Sequence, residues 1–340
     1  MKYKPNPRQT LSRRQALSVL PAVLSTLGVC ASGAWSTAAS AQTYPSKPIK
    51  LIVGFAPGGA VDIIARALGH QISATLGQPV VVENRPGAGT NIAMRALIDS
   101  PADGHTLMLT ANSIAANPTL YQPTPFDPGK DVTPIALVGR VPVVIAANAA
   151  GQPDSISKLI ASAKVKANAV SYGSPGNGST PHLAVELFAR AAGIDLLHVP
   201  YKGGAPAITD VLAGHVNTVA VNALEVQPHV KSGKLRVLTI LSPARTPIFP
   251  EVPSIAEAGY PGFEAAVWYG LIGPAGMTSS VVGLLHGAIQ KALSAAEVRD
   301  RLVNAGGEVQ PGPSERLAAL IASEQTRYAK LIREAQIKPD

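Results

Sequence analysis

Between residues 49 and 110, short apolar runs alternate with stretches of helical spacing. Ile49-Lys50-Leu51-Ile52-Val53-Gly54-Phe55 has the length and β-branching of a buried strand. Ala56-Pro57-Gly58-Gly59 supplies a turn. Val61, Ile64, Ala65, Leu68 and Ile72 then recur at the spacing that places them on one helical face. The same reading predicts a strand at 80–82, a turn at 85–89, a helix over 91–98 and a strand over 106–110. Strands alternating with helices of this length point to a parallel sheet covered on both faces.

The pattern restarts after a break. Val141-Pro142-Val143-Val144-Ile145-Ala146 is an apolar strand. Helices are predicted at 156–166, 182–192, 205–213 and near 226–231, with strands at 170–172, 196–199, 218–221 and 235–241. Residues 243–261 hold five prolines and read as a connector. Residues 265–272 are apolar and aromatic, like a second crossing strand, and helical patterns near 279–293, 297–304 and 314–335 close the chain. One α/β block therefore spans about 44–140 and another about 148–260, with the helical tail packed back on the first. The chain then passes between lobes twice, near 141–147 and 263–272. Two α/β lobes about such a hinge enclose a cleft.

Length agrees with this division, since 340 residues suffice for two domains at roughly 150 residues each. A composition 46% hydrophobic and 15% charged excludes a disordered chain. The single cysteine, Cys30, excludes a disulfide framework and a multi-cysteine zinc site. Of the formal charge of +8, Lys2, Lys4, Arg8, Arg13 and Arg14 contribute +5 within residues 1–41. The remainder is too small and too spread to suit a nucleic-acid partner. The basic start, the apolar stretch 16–34 and Ala39-Ser40-Ala41 read as a signal peptide cleaved near Ala41. A retained membrane anchor is the alternative, disfavoured because Ser18, Pro21, Ser25, Thr26 and Ser32 interrupt the stretch. Ser12-Arg13-Arg14 leaves a twin-arginine route open beside the general secretory one. Cleavage removes Cys30, which suits an oxidising compartment.

Three glycine-rich turns lie between a strand and a helix: Ala56-Pro57-Gly58-Gly59-Ala60, Gly87-Ala88-Gly89-Thr90, and Gly173-Ser174-Pro175-Gly176-Asn177-Gly178-Ser179-Thr180. Such turns expose backbone N–H groups at helix N-termini, where the dipole favours an anion. Each alone is better explained by turn and capping chemistry; three across two lobes point to a shared anion site. Asp62, early in the first helix, reads as a cap or as a contact for a ligand amine. His182, His198 and His215 read as surface or capping residues, and Asp210 as a capping acid. Tyr201-Lys202-Gly203-Gly204 forms a further turn that reaches the cleft, and Trp268 and Tyr269 on the second crossing read as core or as a wall of the site. No P-loop, spaced G-x-G-x-x-G, H-E-x-x-H or G-x-S-x-G motif occurs, so no cofactor or metal is expected.

An ordered set of short motifs then resembles one family. It runs from Tyr44-Pro45-Ser46-Lys47-Pro48-Ile49 through Val53-Gly54-Phe55-Ala56-Pro57-Gly58-Gly59-Ala60-Val61-Asp62 and Val82-Glu83-Asn84-Arg85-Pro86-Gly87-Ala88-Gly89. It continues with Pro101-Ala102-Asp103-Gly104-His105-Thr106-Leu107, Asn117-Pro118-Thr119-Leu120-Tyr121, Tyr172-Gly173-Ser174-Pro175-Gly176-Asn177-Gly178-Ser179, His198-Val199-Pro200-Tyr201-Lys202-Gly203 and Gly270-Leu271-Ile272-Gly273-Pro274-Ala275-Gly276. These resemble the Bug proteins, extracytoplasmic receptors of the tripartite tricarboxylate transporter type. The resemblance implies a two-lobed α/β fold of the type II periplasmic-binding-protein kind, hinged on two crossing strands. Lobe 1 would comprise 42–140 and 268–340, and lobe 2 would comprise 141–267.

The resemblance further implies a non-enzymatic periplasmic receptor for a small carboxylate: a di- or tricarboxylate, an amino acid or an aromatic acid; a monomer is the default expectation. Its partners would be the permease subunits of a tripartite transporter or, in a sensing role, a membrane sensor kinase. The family's binding turns fall on Phe55, Ala56, Gly58 and Gly59 in one lobe and on Ser174, Asn177, Ser179 and Thr180 in the other. Gly89, Thr90 and Asp62 join them on the turn argument above. Asn112-Ser113-Ile114 lies where the family varies, and the segment, Asn112 first, is expected at the ligand's distal end. Asn222 stands where relatives often carry Asp, which weakens any preference for a ligand amine. A hydrolase using Ser174 or Ser179 with His182 is the rival reading.

Overall fold

The computed structural model describes residues 44–304 and 306–339, so the expected export segment at 1–41 lies outside the described residues. Strand β1 (Ile49–Val53) runs into helix α1 (Ala60–Leu76), which buries Val61, Ile64, Ala65, Leu68 and Ile72. Strand β2 (Val80–Asn84), helix α2 (Asn91–Ile98) and strand β3 (Thr106–Thr110) follow, and β1 pairs in parallel with both β2 and β3.

The chain then departs from expectation. Helix α3 (Ser113–Leu120) and the short helix α4 (Pro128–Asp131) were not predicted. In α3, Ser113, Ile114, Ala115, Ala116, Asn117 and Leu120 are all buried and Pro118 lies inside. A helix buried nearly all round carries no amphipathic period to read. Strand β4 (Val132–Asn148) is far longer than the segment 141–146, because Pro134, Gly139, Arg140 and Pro142 interrupt its apolar run. Register shifts at Pro134/Ala136 and Leu137/Gly139 absorb those breaks.

Helix α5 (Ile156–Val165), strand β5 (Ser171–Ser174), helix α6 (Thr180–Ala192), strand β6 (Leu197–Pro200), helix α7 (Gly204–Leu212), strand β7 (Thr218–Asn222), helix α8 (Ala223–Lys231) and strand β8 (Leu235–Ile240) form the second half. Strand β9 (Ala266–Pro274) returns to the first half. Helices α9 (Ser279–Ser294) and α10 (Ala296–Val303), the unpredicted strand β10 (Glu308–Gly312) and helix α11 (Ser314–Glu334) complete the chain.

The strand order is β2-β1-β3-β9-β4-β7-β5-β6, with β8 and β10 also paired to β4. The sheet is mixed rather than parallel. β1–β3 and β5–β7 are parallel sets, whereas β9 runs antiparallel to β3 and β4, and β4 antiparallel to β7 and β8. The crossing strands account for this, since the chain must return between halves. Residues 132–142 of β4 pair with β9, and residues 143–148 pair with β7 or β8, so one strand serves both halves. The second crossing lies at Ala265, whose carbonyl accepts from Val143 N at 3.2 Å and whose N–H donates to Leu241 at 2.8 Å. The fold is thus the two-lobed α/β arrangement expected.

Of the closing helices, α9 packs on α1 and β4, and α11 packs on α3 and β4. Tyr328 and Ile332 of α11 also share an apolar cluster with Leu183 of α6, so the tail touches both halves.

Candidate ligand site

Five strand-to-helix turns open toward one cavity between the sheet halves. It is lined by the α1 start (Gly59, Ala60, Val61), the α3 start (Ser113), the α6 start (Ser179, Thr180), Gly204 of α7 and Asn222 and Glu225 of α8. Phe55 and Tyr269 of β9 form part of its wall. The convergence follows from connectivity: in each half the helices begin at the carboxyl ends of parallel strands, so their N-termini face the same way. The first N–H groups of a helix lack intrahelical partners and carry partial positive charge. The cavity measures about 30 Å³, space for roughly two water molecules.

Hydroxyl groups supply most of the side-chain chemistry. Ser179 Oγ caps α6 by accepting from His182 N at 3.4 Å, and its proton remains to be donated. Ser113 Oγ accepts from Thr90 Oγ1 at 3.1 Å. Tyr269 accepts a short hydrogen bond from Asn222 Nδ2, and burial followed by the charge of Glu225 raises its pKa, so the phenol stays protonated. Thr180 Oγ1 and Glu225 Oε2 are buried without a hydrogen-bond partner.

Glu225 is the one acid in this cavity. Its Oε1 accepts from Ala60 N at 2.7 Å and so joins α8 of the second half to the first turn of α1. Burial pushes its pKa up to about 7, against the pull of that hydrogen bond. Gly204 must lack a Cβ, because a methyl there would overlap the Glu225 carboxylate.

A larger depression of about 340 Å³ adjoins the cavity, sharing Phe55 and Pro175, and gathers Gly89, Thr90, Asn177 and Lys202. Ala88 (φ 45°) and Thr90 (φ 82°) hold left-handed backbone there, a strain of the kind that collects at binding sites. The two halves also touch here, where Ala56 N donates to the Lys202 carbonyl at 2.7 Å.

Residues 64–337 match the tripartite tricarboxylate transporter family receptor. The chain belongs to that family. Protein BugT of Bordetella pertussis is 37% identical over 330 residues, covering 96% of this chain and 99% of BugT. The R. palustris protein Rpa4515 with adipate has a TM-score of 0.83 at 32% identity, covering 87% of this chain and 100% of its own. MatC from Rhodopseudomonas palustris with bound malate has a TM-score of 0.80 at 30% identity, covering 85% of this chain and 100% of MatC. The resemblance to the Bug proteins and the two-lobed fold therefore hold for this chain, and the family is one of receptors rather than enzymes.

The sequence-derived candidates divide three ways. Phe55, Gly59, Ser179, Thr180 and Asn222 line the cavity; Phe55 also lines the adjoining depression, with Gly89, Thr90 and Asn177. Ala56 and Gly58 lie in the α1 turn beside the cavity but do not line it. Asp62, Asn112 and Ser174 lie behind the walls. Asn112 donates from Nδ2 to Tyr328 Oη at 3.1 Å and accepts from Trp268 N at 3.1 Å, which ties α3 to α11 and β9 rather than facing a ligand. Ser174 is fully buried with Oγ 2.7 Å from His198 Nε2. The Ser–His contact that forms is thus not the expected one with His182, and it is shielded from the cavity.

His215 is exposed as expected, whereas His182 is not a surface residue. His182 is buried and stacks on His198 with ring centroids 4.1 Å apart; burial and the neighbouring His198 lower its pKa to about 3. Ser113 stood only within the expected segment Asn112-Ser113-Ile114, and Glu225 was not anticipated. Glu225 carried one signal, an acid inside Ala223-Leu224-Glu225-Val226, an otherwise apolar stretch.

Proposed function

We propose that this protein is a periplasmic receptor that captures a small carboxylate between its two lobes and presents it to the permease subunits of a tripartite tricarboxylate transporter. The observation that carries this reading is the convergence of five helix N-termini, two of them bearing hydroxyls (Ser113, and Ser179 with Thr180), on one buried cavity between the sheet halves. Such a site stabilises an anion through backbone N–H groups and dipoles without a fixed positive side chain. The malate and adipate bound by the two R. palustris relatives are small carboxylates of the same chemistry.

Capture requires movement, since a cavity of about 30 Å³ is smaller than any dicarboxylate. The moving bodies in this reading are 42–140 with 268–340 against 141–267, turning where β4 and the chain at Ala265 cross. Export and cleavage near Ala41 would place the receptor in the periplasm.

Thermal unfolding of residues 42–340 against a panel of carboxylates and their amides tests the reading. A ligand at one hundred times its Kd adds about 2.7 kcal/mol. A clear rise in Tm with an acid, and none with its amide, is the expected result. No shift with any acid, after unfolding and refolding to strip a co-purified ligand, would overturn it.

A further inference from the structure

Glu225 is an anomaly in an anion site. A carboxylate gripped by helix N-termini gains nothing from a second carboxylate beside it, and like charges across a contact cost several kcal/mol. Yet Glu225 is 9% exposed, lines the cavity, and leaves Oε2 unpartnered. Every other polar side chain facing that space can donate: Ser113, Ser179, Thr180 and Tyr269 through hydroxyls. Asn222 spends Nδ2 on Tyr269 and Oδ1 on Leu224 N. The cavity thus offers many donors and a single strong acceptor.

Resting on the receptor reading above, we infer that Glu225 is the specificity determinant of the site, selecting a ligand that bears a hydrogen-donating nitrogen, an ammonium or an amide N–H, beside its carboxylate. The ligand's carboxylate takes the hydroxyls and helix N-termini, and its N–H takes Glu225 Oε2. The bond from Ala60 N to Oε1 stays in place, so one side chain links both lobes and the ligand. A raised pKa for Glu225 agrees with a carboxylate short of a partner.

Matched pairs test it: aspartate against succinate, glutamate against glutarate, and aminobenzoate against benzoate, each titrated into the refolded mature protein by calorimetry. At least one pair should show the nitrogen-bearing member binding tenfold or more tighter, the scale of a charge-assisted hydrogen bond. Glu225→Gln keeps an oxygen for Ala60 N and turns the free acceptor into a donor, so the preference should vanish or invert. Equal affinity within every pair that binds to wild-type protein would overturn the inference while leaving the receptor reading standing. An unchanged ratio in a folded Glu225→Gln variant would do the same. No binding by any member would overturn both. The wild-type ratio needs no variant, so a misfolded Glu225→Gln protein leaves the test intact.

Discussion

Asp62 and Glu225 occupy the same place in two helices, the third residue of α1 and the third residue of α8. Both are buried. Their surroundings differ completely. Asp62 accepts from Gly58 N, Arg66 Nε and Asn84 Nδ2, each at 3.0 Å. Burial alone would raise its pKa, but the hydrogen bonds from Arg66, Gly58 and Asn84 outweigh that and hold it below the ordinary carboxylate range. Glu225 has one donor, Ala60 N, and its second oxygen has none. Its own helix does not need it as a cap, because Asn222 Oδ1 already accepts from Leu224 N at 3.1 Å. The longer side chain is therefore free to cross to the other half. A satisfied acid builds the turn beside the cavity, whereas the other leaves one carboxylate oxygen open toward it.

The largest effect should come from Asp62→Ala. It strands the Gly58 N–H and an Asn84 donor and removes the partner of Arg66, at a cost of about 3–4 kcal/mol. Urea unfolding measures this. A loss under about 1 kcal/mol would erase the distinction between the two acids.

The next effect is a pH dependence that separates Glu225 from the rest of the molecule. A carboxyl whose folded pKa is about 7, above the ordinary 4.5, contributes most below pH 4.5 and loses that contribution as pH rises to about 7. Glu225→Gln lacks this loss. Its stability relative to wild type should rise by at most about 3 kcal/mol across that window. His182 works in the opposite sense. Its lowered pKa favours the native state above about 6.5, and acid withdraws that support in both proteins alike. A stability difference that is flat with pH would show that Glu225 ionises as an ordinary surface acid does.

Gly204→Ala sharpens the comparison at lower amplitude. The added methyl displaces the Glu225 carboxylate and should cost about 1–2 kcal/mol, read as a fall in Tm. It should also erase the preference between matched ligands, as Glu225→Gln does. A variant with wild-type Tm and selectivity would mean that the carboxylate has room to move without consequence.

The helical faces and parallel strand sets were legible because they rest on local periodicity. Val61, Ile64, Ala65, Leu68 and Ile72 announce α1, and Val219, Ala220 and Val221 announce a fully buried strand. Elements whose environment is uniform or broken were not legible. α3 is buried on nearly all sides, β4 is interrupted by two prolines and a glycine, and β10 carries Pro311. The glycine-rich turns pointed to the cavity, and Gly59, Ser179 and Thr180 do line it. Asn112 misled because variation over Asn112-Ser113-Ile114 does not say which residue turns inward: Ser113 lines the cavity, whereas Asn112 ties together α3, β9 and α11.

By itself, then, the sequence determined the alternation of strands and helices, the family and the place of the glycine-rich turns, all written in contiguous residues. Only the tertiary structure decided which of those turns share a cavity and which side chains enter it. Ala60 and Glu225 are joined at 2.7 Å across 165 residues of chain. No local pattern encodes that contact, because it forms only when strand order and crossing bring two helix N-termini face to face.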